Sequence, residues 1–205
     1  SRLQEDFIST ITHELRTPLG FIKGYTTTLL RADTNWDQET QQEFLRIIDQ
    51  EADRLQDLIE NLLDSARLQT GNLKMDFQAL RVDTLIRSVA DRVKLHHPDI
   101  NVHIEPGQQG PIIRGDPKRL GQVFENLLNN AVKYAPGSDV WVKIEGRDEE
   151  GILIHVQDQG PGIASDELAR IFDKFYRGSA AARTGGTGLG LSICRGSVEA
   201  HGGRI

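Results

Sequence analysis

The sequence contains a single cysteine and lacks any long apolar run. Cys194 alone excludes an internal disulfide and is typical of a protein from a reducing compartment, so we expect a cytoplasmic location. No run of about 18 apolar residues and no signal peptide is found, so we expect this chain neither to span nor to cross a membrane. Any membrane attachment would come only through segments absent from this chain.

Positive charge is scarce in the first third of the chain. Residues 1–70 hold 7 basic and 13 acidic side chains, a net charge of −6, whereas residues 71–205 hold 17 of each. A nucleic-acid partner requires a basic surface to face its phosphates, so the acidic part argues against one. The uneven charge indicates two differently built domains, which we place at residues 1–70 and 71–205.

A histidine stands out in the first domain because the predicted helix places it away from the apolar stripe. His13 lies roughly opposite that stripe, with Thr17 one turn further on. Pro18 cannot donate to the carbonyl of Glu14, so we expect the helix to bend beside the imidazole. The pattern alone also fits an ordinary surface histidine. The stripe repeats at about 3.6 residues per turn and consists of Leu3, Phe7, Ile11, Leu15, Pro18, Ile22 and Leu29.

A second helix is predicted after residues 34–37, whose side chains can cap its first turn. Its apolar residues alternate steps of four and three, which is typical of a coiled-coil seam. Two helices cover only a narrow apolar strip, so we expect a homodimer in which two helical hairpins form a four-helix bundle. The alternative is a hairpin packed on the second domain. The seam consists of Ile48, Ala52, Leu55, Ile59, Leu62 and Ala66.

Strand and helix patterns alternate after residue 71 and indicate an α/β domain. An alternating pattern at residues 73–77 predicts a strand, and Asp83 is placed to cap a helix that continues to about Leu95. Further strands are predicted at residues 102–104, 140–145 and 152–156, and a short helix at residues 165–172.

The helix predicted from Asp116 to Tyr134 carries a polar sector suited to a nucleotide. Asn126, Asn130 and Lys133 cluster on the side opposite its apolar stripe. Amide oxygens are hard neutral ligands and lysine is a point charge for phosphate oxygens, so the sector suits a magnesium-bound triphosphate. The same spacing also fits a solvated helix face.

A first glycine-containing loop follows a predicted strand and begins with Asp158. Gly160 and Gly162 allow close approach of the backbone to a ligand. A carboxylate there can accept from the exocyclic amine of adenine and would repel the carbonyl of guanine, so Asp158 predicts ATP rather than GTP. A plain loop with a capping aspartate is the alternative.

A second glycine-containing loop, residues 186–190, follows a small and polar run at residues 178–186 that we interpret as a lid. Gly186, Gly188 and Gly190 open a predicted helix, so backbone N–H groups would face phosphate. A Walker loop would need Gly-Lys-Ser/Thr here, and a dinucleotide fingerprint would need a strand directly before the glycines. A flexible glycine linker is the remaining alternative.

Taken together, these segments resemble the two-component sensor histidine kinases. Residues 13–19, His-Glu-Leu-Arg-Thr-Pro-Leu, resemble the phosphoacceptor box of that family. Residues 126–134, 158–162, 172–177 and 186–190 follow the order and rough spacing of its N, G1, F and G2 boxes. The resemblance covers nearly the whole chain and implies a dimerising phosphotransfer domain followed by an ATP-binding α/β sandwich of the Bergerat (GHKL) type.

The resemblance also implies a role for each matched residue. His13 would attack the γ-phosphorus of ATP, and Glu14 would orient or deprotonate the imidazole although it points about 100° away around the helix. The family then passes the phosphoryl group to an aspartate of a response regulator, which implies a receiver domain as partner. The family pattern assigns Mg²⁺ to Asn126 and Asn130, and ATP to Asn126, Lys133, Tyr134, Asp158, Gly160, Gly162, Arg177, Gly186, Gly188 and Gly190.

Thr17 is a candidate for a second activity, dephosphorylation of the regulator. Its hydroxyl, one turn beyond His13, could hold a water in line with an acyl phosphate. Alternatively, the hydroxyl simply bonds back to the carbonyl of His13.

Two features depart from the family pattern. Ser197 stands where the family usually has a bulky apolar residue, and Gly196 should cost its helix about 1 kcal/mol relative to alanine, so we expect weak docking of that helix. The family also continues into further strands beyond the position of Ile205, so the ATP-binding domain is expected to be truncated at its C-terminus.

Two other functions compete with that of an ATP-dependent histidine kinase. One is a non-catalytic switch, in which nucleotide binding only repositions the bundle for a partner. The other is a chaperone- or topoisomerase-like ATPase, which would have no reason to carry the His13 box on a dimerising hairpin.

Overall fold

The computed structural model describes residues 2–105, 111–147, 151–178 and 186–205 of the chain, with side chains described from residue 8. A helical hairpin is followed by a mixed α/β unit. The helices are α1 (Arg2–Leu29), α2 (Gln38–Gln69), α3 (Val82–His96), α4 (Pro117–Tyr134) and α5 (Gly190–Ala200). The strands are β1 (Gln78–Arg81), β2 (Asn101–Ile104), β3 (Ile112–Gly115), β4 (Asp139–Arg147) and β5 (Gly151–Gln157).

The turn between α1 and α2 is held by aromatic side chains and a helix cap. Phe44 packs against Tyr25 and Trp36, with ring centroids 5.1 and 5.2 Å apart. The Trp36 indole N–H donates to the carbonyl of Thr28 at 3.2 Å. Asp37 caps α2 by accepting from the backbone N–H of Thr40 at 2.8 Å, which confirms the predicted cap.

The apolar stripe of α1 faces α2, as the sequence predicted. Pro18 is fully buried, Ile11 and Leu15 are half-buried, and His13 on the other side is exposed. Helix α1 continues through Pro18 without interruption. Leu3 and Phe7 of the predicted stripe lie outside the described side chains.

The second half is built around a three-stranded sheet with the order β2-β4-β5. Strand β2 runs parallel to β4 from the Asn101–Asp139 pair onward, and β4 runs antiparallel to β5. Helices α3 and α4 contribute their apolar sides to the core beside the sheet. The core consists of Val82, Ile86, Val89, Ala90, Val93, Ile100, Phe124, Leu128, Ala131, Val140 and Val142.

Three predictions for the second half were wrong. Residues 73–77 are not a strand, and pairing begins only with β1, which lies antiparallel to β3. Phe77 instead packs its ring edge-on against His201, with centroids 5.2 Å apart. Asp83 lies within the first turn of α3 and pairs with Arg81 at 3.3 Å, so it is not the cap.

Residues 165–172, predicted as a helix, form successive turns in the structure. The N–H groups of Glu167, Arg170 and Asp173 each bond to a carbonyl three residues back, which is the pattern of consecutive turns. The guanidinium of Arg170 lies over the Tyr176 ring, 4.5 Å from its centroid. This contact holds the segment against the residues that follow it in the chain.

The two halves pack on each other through α2, α4 and α5. The C-terminal part of α2 therefore packs on the second domain, as the alternative arrangement of the hairpin predicts. The expectation of weak helix docking at Gly196 stays a prediction, and α5 approaches α2 closely at this residue. A Cβ on Gly196 would lie 2.8 Å from both δ-carbons of Leu68, so the missing side chain makes room for that contact.

Over the described residues, no helix combines the length and the apolar character needed to cross a membrane.

Candidate active site

His13 presents its imidazole on the outer side of α1. No hydrogen bond, ion pair or ring contact joins the His13 side chain to another residue within the described part of the chain. Pro18 has no N–H for the carbonyl of Glu14, so the backbone next to the imidazole lacks one helical bond. The ring is thus available to an incoming reactant.

Glu14 and Thr17 flank the imidazole in different ways. The Glu14 side chain is only 9% exposed, whereas its neighbour His13 is exposed. The hydroxyl of Thr17 donates to the carbonyl of His13 at 3.1 Å, which is the bond expected if Thr17 has a structural role. Neither side chain makes a hydrogen bond to the imidazole in this structure.

Asp116 is the N-cap of α4, and its carboxylate organises three segments. It accepts from the N–H groups of Lys118, Arg119 and Asp76, all within 3.1 Å. Burial opposes ionisation, but these backbone donors outweigh it and lower the pKa of Asp116 below its ordinary value. The cap fixes the start of the helix and therefore the direction of its polar sector.

His201 fastens the end of α5 to the start of α4. Its Nε2 accepts from the backbone N–H of Asp116 at 2.9 Å, and its Nδ1 lies 2.7 Å from the carbonyl of Ser197. Because an N–H can only donate and a carbonyl can only accept, these two contacts fit a ring that donates from Nδ1 and accepts at Nε2. The helix after the second glycine loop is thereby held against the helix that carries the asparagines.

Asn126 lies against the first residue of α5. Its Nδ2 is 3.5 Å from the carbonyl of Gly190, and a Cβ on Gly190 would meet the Asn126 amide at 3.5 Å. The thiol of Cys194 is buried beside this amide, and burial raises its pKa to about 12. The first asparagine thus meets the helix that follows the second glycine loop.

Lys133 reaches the second glycine loop from the last turn of α4. Its Nζ lies 2.9 Å from the position that a Cβ on Gly186 would occupy, and 4.8 Å from the centre of the Tyr134 ring. Gly186 has a φ of +116°, which side-chain-bearing residues rarely adopt. An ammonium group therefore stands directly beside the backbone of this loop.

The first glycine loop meets the end of the same helix. The Asp158 carboxylate accepts from the N–H of Gly160 at 2.7 Å, as a capping aspartate would. A Cβ on Gly160 would lie 3.2 Å from that of Ala135 and 3.5 Å from the carbonyl of Tyr134. The exposed Asp158 thus stands where the loop touches α4.

The segment before the predicted lid packs backbone to backbone on the second glycine loop. The N–H of Phe175 donates to the carbonyl of Gly188 at 2.9 Å, and Phe175 has a φ of +66°. A Cβ on Gly188 would lie 2.8 Å from the Phe175 carbonyl carbon and from the Tyr176 oxygen. Sequence reasoning missed the Phe175 conformation, because no local pattern predicts a left-handed phenylalanine.

The structure therefore brings together the C-terminal half of α4 and both glycine loops, and it leaves the hairpin residues apart. Asn126, Lys133 and Tyr134 contact the loops at Gly190, Gly186 and Gly160, as described above. Asn130 is half-buried between Asn126 and Lys133 on α4, and Arg177 is also half-buried. Gly162 is exposed with a φ of +75°. The predicted lid lies outside the described residues except for its two end glycines.

Two family models match the chain. Residues 3–71 match the His Kinase A (phospho-acceptor) domain, and residues 115–205 match the histidine kinase-, DNA gyrase B-, and HSP90-like ATPase family. The first match includes His13, and the second includes α4 and both glycine loops.

Several known proteins are similar to the chain. The circadian input-output histidine kinase CikA of Synechococcus elongatus is 32% identical over 98% of this chain and 27% of its own length. The sensor protein SrrB of Staphylococcus aureus is 31% identical over 100% of this chain and 35% of its own length. The chain therefore spans only about a third or less of these relatives.

Solved structures resemble the fold as well. The mycobacterial sensor histidine kinase MprB is 30% identical, with a TM-score of 0.55 over 62% of this chain and 81% of that structure. Full-length ShkA in complex with AMPPNP is 28% identical, with a TM-score of 0.67 over 97% of this chain and 41% of that structure.

Proposed function

We propose that this chain, which belongs to the two-component sensor histidine kinases, transfers the γ-phosphoryl group of ATP to His13 and then to an aspartate of a response regulator. The observation that carries the proposal is the exposed His13 imidazole, which has no side-chain partner in the described residues. The same chain also contains the cluster formed by α4 and the two glycine loops. The ATPase family match supports ATP binding by residues 115–205.

We assign the phosphates to the cluster at the end of α4. Lys133 beside Gly186 would place a positive charge and backbone N–H groups on the same side of the phosphates. Tyr134 and Arg177 would contact the nucleotide nearby, and Asp158 would accept from the adenine amine. One carboxylate oxygen of Asp158 already bonds to Gly160, so the other would meet the base.

Magnesium fits the donor set of α4. Amide oxygens are hard ligands, so the neutral amides of Asn126 and Asn130 would bind the ion together with the phosphates. Bound magnesium would neutralise charge on the triphosphate. The amides suffice because the phosphates supply the negative charge.

His13 would act as the nucleophile in the neutral form. The unprotonated ring nitrogen forms a bond to the γ-phosphorus while the bond from that phosphorus to the ADP oxygen breaks, and the ring then loses the proton on its second nitrogen. The product is a phosphoramidate, which can pass its phosphoryl group to a carboxylate of the regulator. Glu14 could accept the proton only after its buried carboxylate turns toward the ring.

A homodimer fits the apolar surface that the hairpin leaves uncovered. Leu19, Ile59 and Leu63 are about half exposed, at 56%, 46% and 49%. An open groove of about 420 Å³ lies at the level of His13. A second hairpin would cover this surface and complete a four-helix bundle. The groove is lined by Thr12, Leu15, Arg16, Leu19, Leu55 and Ile59.

Phosphatase activity toward the regulator remains a prediction that depends on Thr17. The bond from its hydroxyl to the His13 carbonyl favours a structural role, but the hydroxyl oxygen can still accept from a water. We predict that Thr17→Ala slows dephosphorylation of the regulator while His13 still gains phosphate from ATP. Both rates are measured on the same variant, with Thr28→Ala as control because Thr28 makes the same kind of bond to Gly24. Parallel losses in the two rates would indicate a damaged helix instead.

The proposed function is tested by incubating the chain with γ-labelled ATP and magnesium. We expect label that is stable in alkali and lost in acid, and we expect His13→Gln to abolish it without changing ATP affinity. Acid-stable label would contradict a phosphohistidine. ATP binding without any covalent label would favour the non-catalytic switch.

A further inference from the structure

Helix α5 lies along α4 and touches it near the nucleotide cluster and again further along. At the first residue of α5, the carbonyl of Gly190 lies 3.5 Å from Nδ2 of Asn126. About one turn further on, the thiol of Cys194 donates to the carbonyl of Val123 at 3.7 Å. Residue numbers rise along α5 as they fall along α4, so the two helices run antiparallel. The first contact is longer than an ordinary N–H···O bond and a thiol is a weak donor, so neither contact fixes α5 firmly.

The third and shortest of these contacts comes from His201, directly after the last residue of α5. Nε2 of its ring accepts from the backbone N–H of Asp116 at 2.9 Å. Its Nδ1 lies 2.7 Å from the carbonyl of Ser197, one turn back along α5, and this second bond fixes the direction of the ring. His201 therefore fastens the far end of α5 to the N-cap of α4.

The surroundings of the His201 ring leave it little freedom to move. The ring of Phe77 meets it edge-on, with centroids 5.2 Å apart. Gly115 lies beside it, since a Cβ there would be 3.3 Å from Cδ2 of His201 and 2.9 Å from Cδ1 of Leu120. The lack of a side chain at Gly115 thus makes room for the ring. Strand β3 and the segment before β1 therefore hold the ring against the start of α4.

The position of α5 along α4 matters because α5 begins where the second glycine loop ends. Helix α4 carries two groups that face this loop, the Asn126 amide and the Lys133 ammonium. A shift of α5 along α4 changes the distance from the N–H groups of the loop to both of them. The 11-residue helix α5 separates His201 from the loop, which is about 16 Å. A misplacement of about 1 Å that starts so far from the reacting atoms can still lower a rate about 100-fold.

We propose that His201 is a positioning residue for the phosphates of ATP. It sets the register of α5 on α4, and thereby the distance between the second glycine loop and the amide and ammonium groups of α4. This inference rests on the proposed function, and it places no atom of His201 in contact with the nucleotide. Recognition of the base should not depend on His201, because Asp158 belongs to the other glycine loop, which meets α4 at its opposite end.

Two substitutions separate the hydrogen bonds of His201 from the packing of its ring. His201→Phe keeps a ring beside Phe77 but cannot accept from Asp116, whose buried N–H then loses its partner. His201→Gln carries an amide oxygen that can reach the place of Nε2 and accept in its stead. If loss of the bond leaves α5 in place in about one tenth of the chains, the apparent affinity for magnesium-ATP falls about tenfold. We expect this loss in His201→Phe, and a change of less than about threefold in His201→Gln.

Adenosine distinguishes a positioning role from general damage to the domain, because it carries the base without any phosphate. We expect the affinity for adenosine to be the same in the parent chain and in both variants. The matched control is His96→Phe. His96 makes the same bond to the carbonyl four residues back, that of Arg92 at 3.1 Å, but it is exposed at the end of α3. The control should bind ATP and adenosine as the parent does.

NMR titration measures all of these affinities, because it covers weak as well as tight binding. The same samples report hydrogen exchange at the Asp116 amide, which should be slow in the parent and in His201→Gln and faster in His201→Phe. Parental ATP affinity in His201→Phe, or an equal loss of ATP and adenosine binding, would overturn the proposal. A His201→Gln chain that binds ATP as weakly as His201→Phe would overturn it as well. A parent chain that does not bind ATP would instead contradict the proposed function.

Discussion

The hairpin and the ATP-binding half differ in where their apolar side chains lie. In the second half, Ile86, Leu128 and Val140 are at most 2% exposed and belong to one continuous core. In the hairpin, Ile59 and Leu63 remain about half exposed, while Asp64 and Ser65 are buried against the second half. One half thus covers its own core, and the other presents apolar surface for further contacts.

This difference matches the division of chemical roles in the proposed function. The nucleotide cluster needs a fixed geometry, because Gly188 and Phe175 approach each other at backbone distance. The acceptor His13 must instead meet both a nucleotide and a regulator, so it belongs on a surface that several partners can reach. A self-contained core supports the first role, and an open hairpin supports the second.

The largest expected effect comes from the rigid half. Asn130→Asp should lower labelling of His13 by about 100-fold or more, because a fixed carboxylate repels the triphosphate and changes the ligands of magnesium. The hairpin and its dimer should be unaffected. The measurement is the magnesium-dependent labelling rate, with Asn129→Asp as control at an exposed position on the same helix. Equal rates for Asn130→Asp and the parent would place the metal elsewhere.

A core truncation tests whether the second half depends on its own packing. Ile86→Ala should lower the free energy of unfolding by about 2–5 kcal/mol, because Ile86 is fully buried. Ile112→Ala, at a position that is 70% exposed, should change it by less than about 0.5 kcal/mol. Urea denaturation followed by tryptophan fluorescence, with Trp141 on β4, provides both values. Similar losses in the two variants would contradict the proposed location of the core.

A charge on the open face of the hairpin tests the dimer. Ile59→Asp should raise the dissociation constant of the dimer by about 100-fold, which corresponds to roughly 3 kcal/mol. Leu95→Asp, at an 80% exposed position of the second half, should leave it unchanged. Sedimentation over a range of concentrations measures both. A parent chain that stays monomeric at every concentration would contradict the proposed homodimer.

The last of these predictions concerns Cys194 and high pH. Burial raises the pKa of its thiol from 9.0 to about 12, so between these values the unfolded thiol has lost its proton and the folded thiol has kept it. Stability should therefore fall as pH rises from 9 to 12, by at most about 1.4 kcal/mol per pH unit from this group. Cys194→Ala should lose less stability over that interval than the parent. Identical pH profiles would show that the thiol ionises equally in both states.

The sequence predicted those elements whose signals are local. The cap at Asp116 and the polar sector of α4 depend on residues within a few positions of each other, and both are present. Strands β4 and β5 were predicted from their own alternation. The burial of the apolar stripe on the side of α1 opposite His13 also follows from helical spacing alone.

The features that the sequence did not reveal depend on distant residues. Strand β1 exists because Gln78 pairs with Gly115, and Phe77 leaves the strand pattern to contact His201. The ion pair between Asp64 and Arg119 joins residues 55 positions apart and has no sequence pattern. From the sequence, Gly196 predicts only a weakened helix, because Leu68, the residue that needs the space, lies on another element.

The most direct test of the division between the two halves is to locate the phosphoryl group by mass spectrometry. The chain is incubated with ATP and magnesium, digested under alkaline conditions, and analysed in parallel with His13→Gln. We expect a single phosphoryl group on His13 in the parent and none in the variant. A phosphoryl group on any residue of the second half, or an equally phosphorylated His13→Gln chain, would contradict the account.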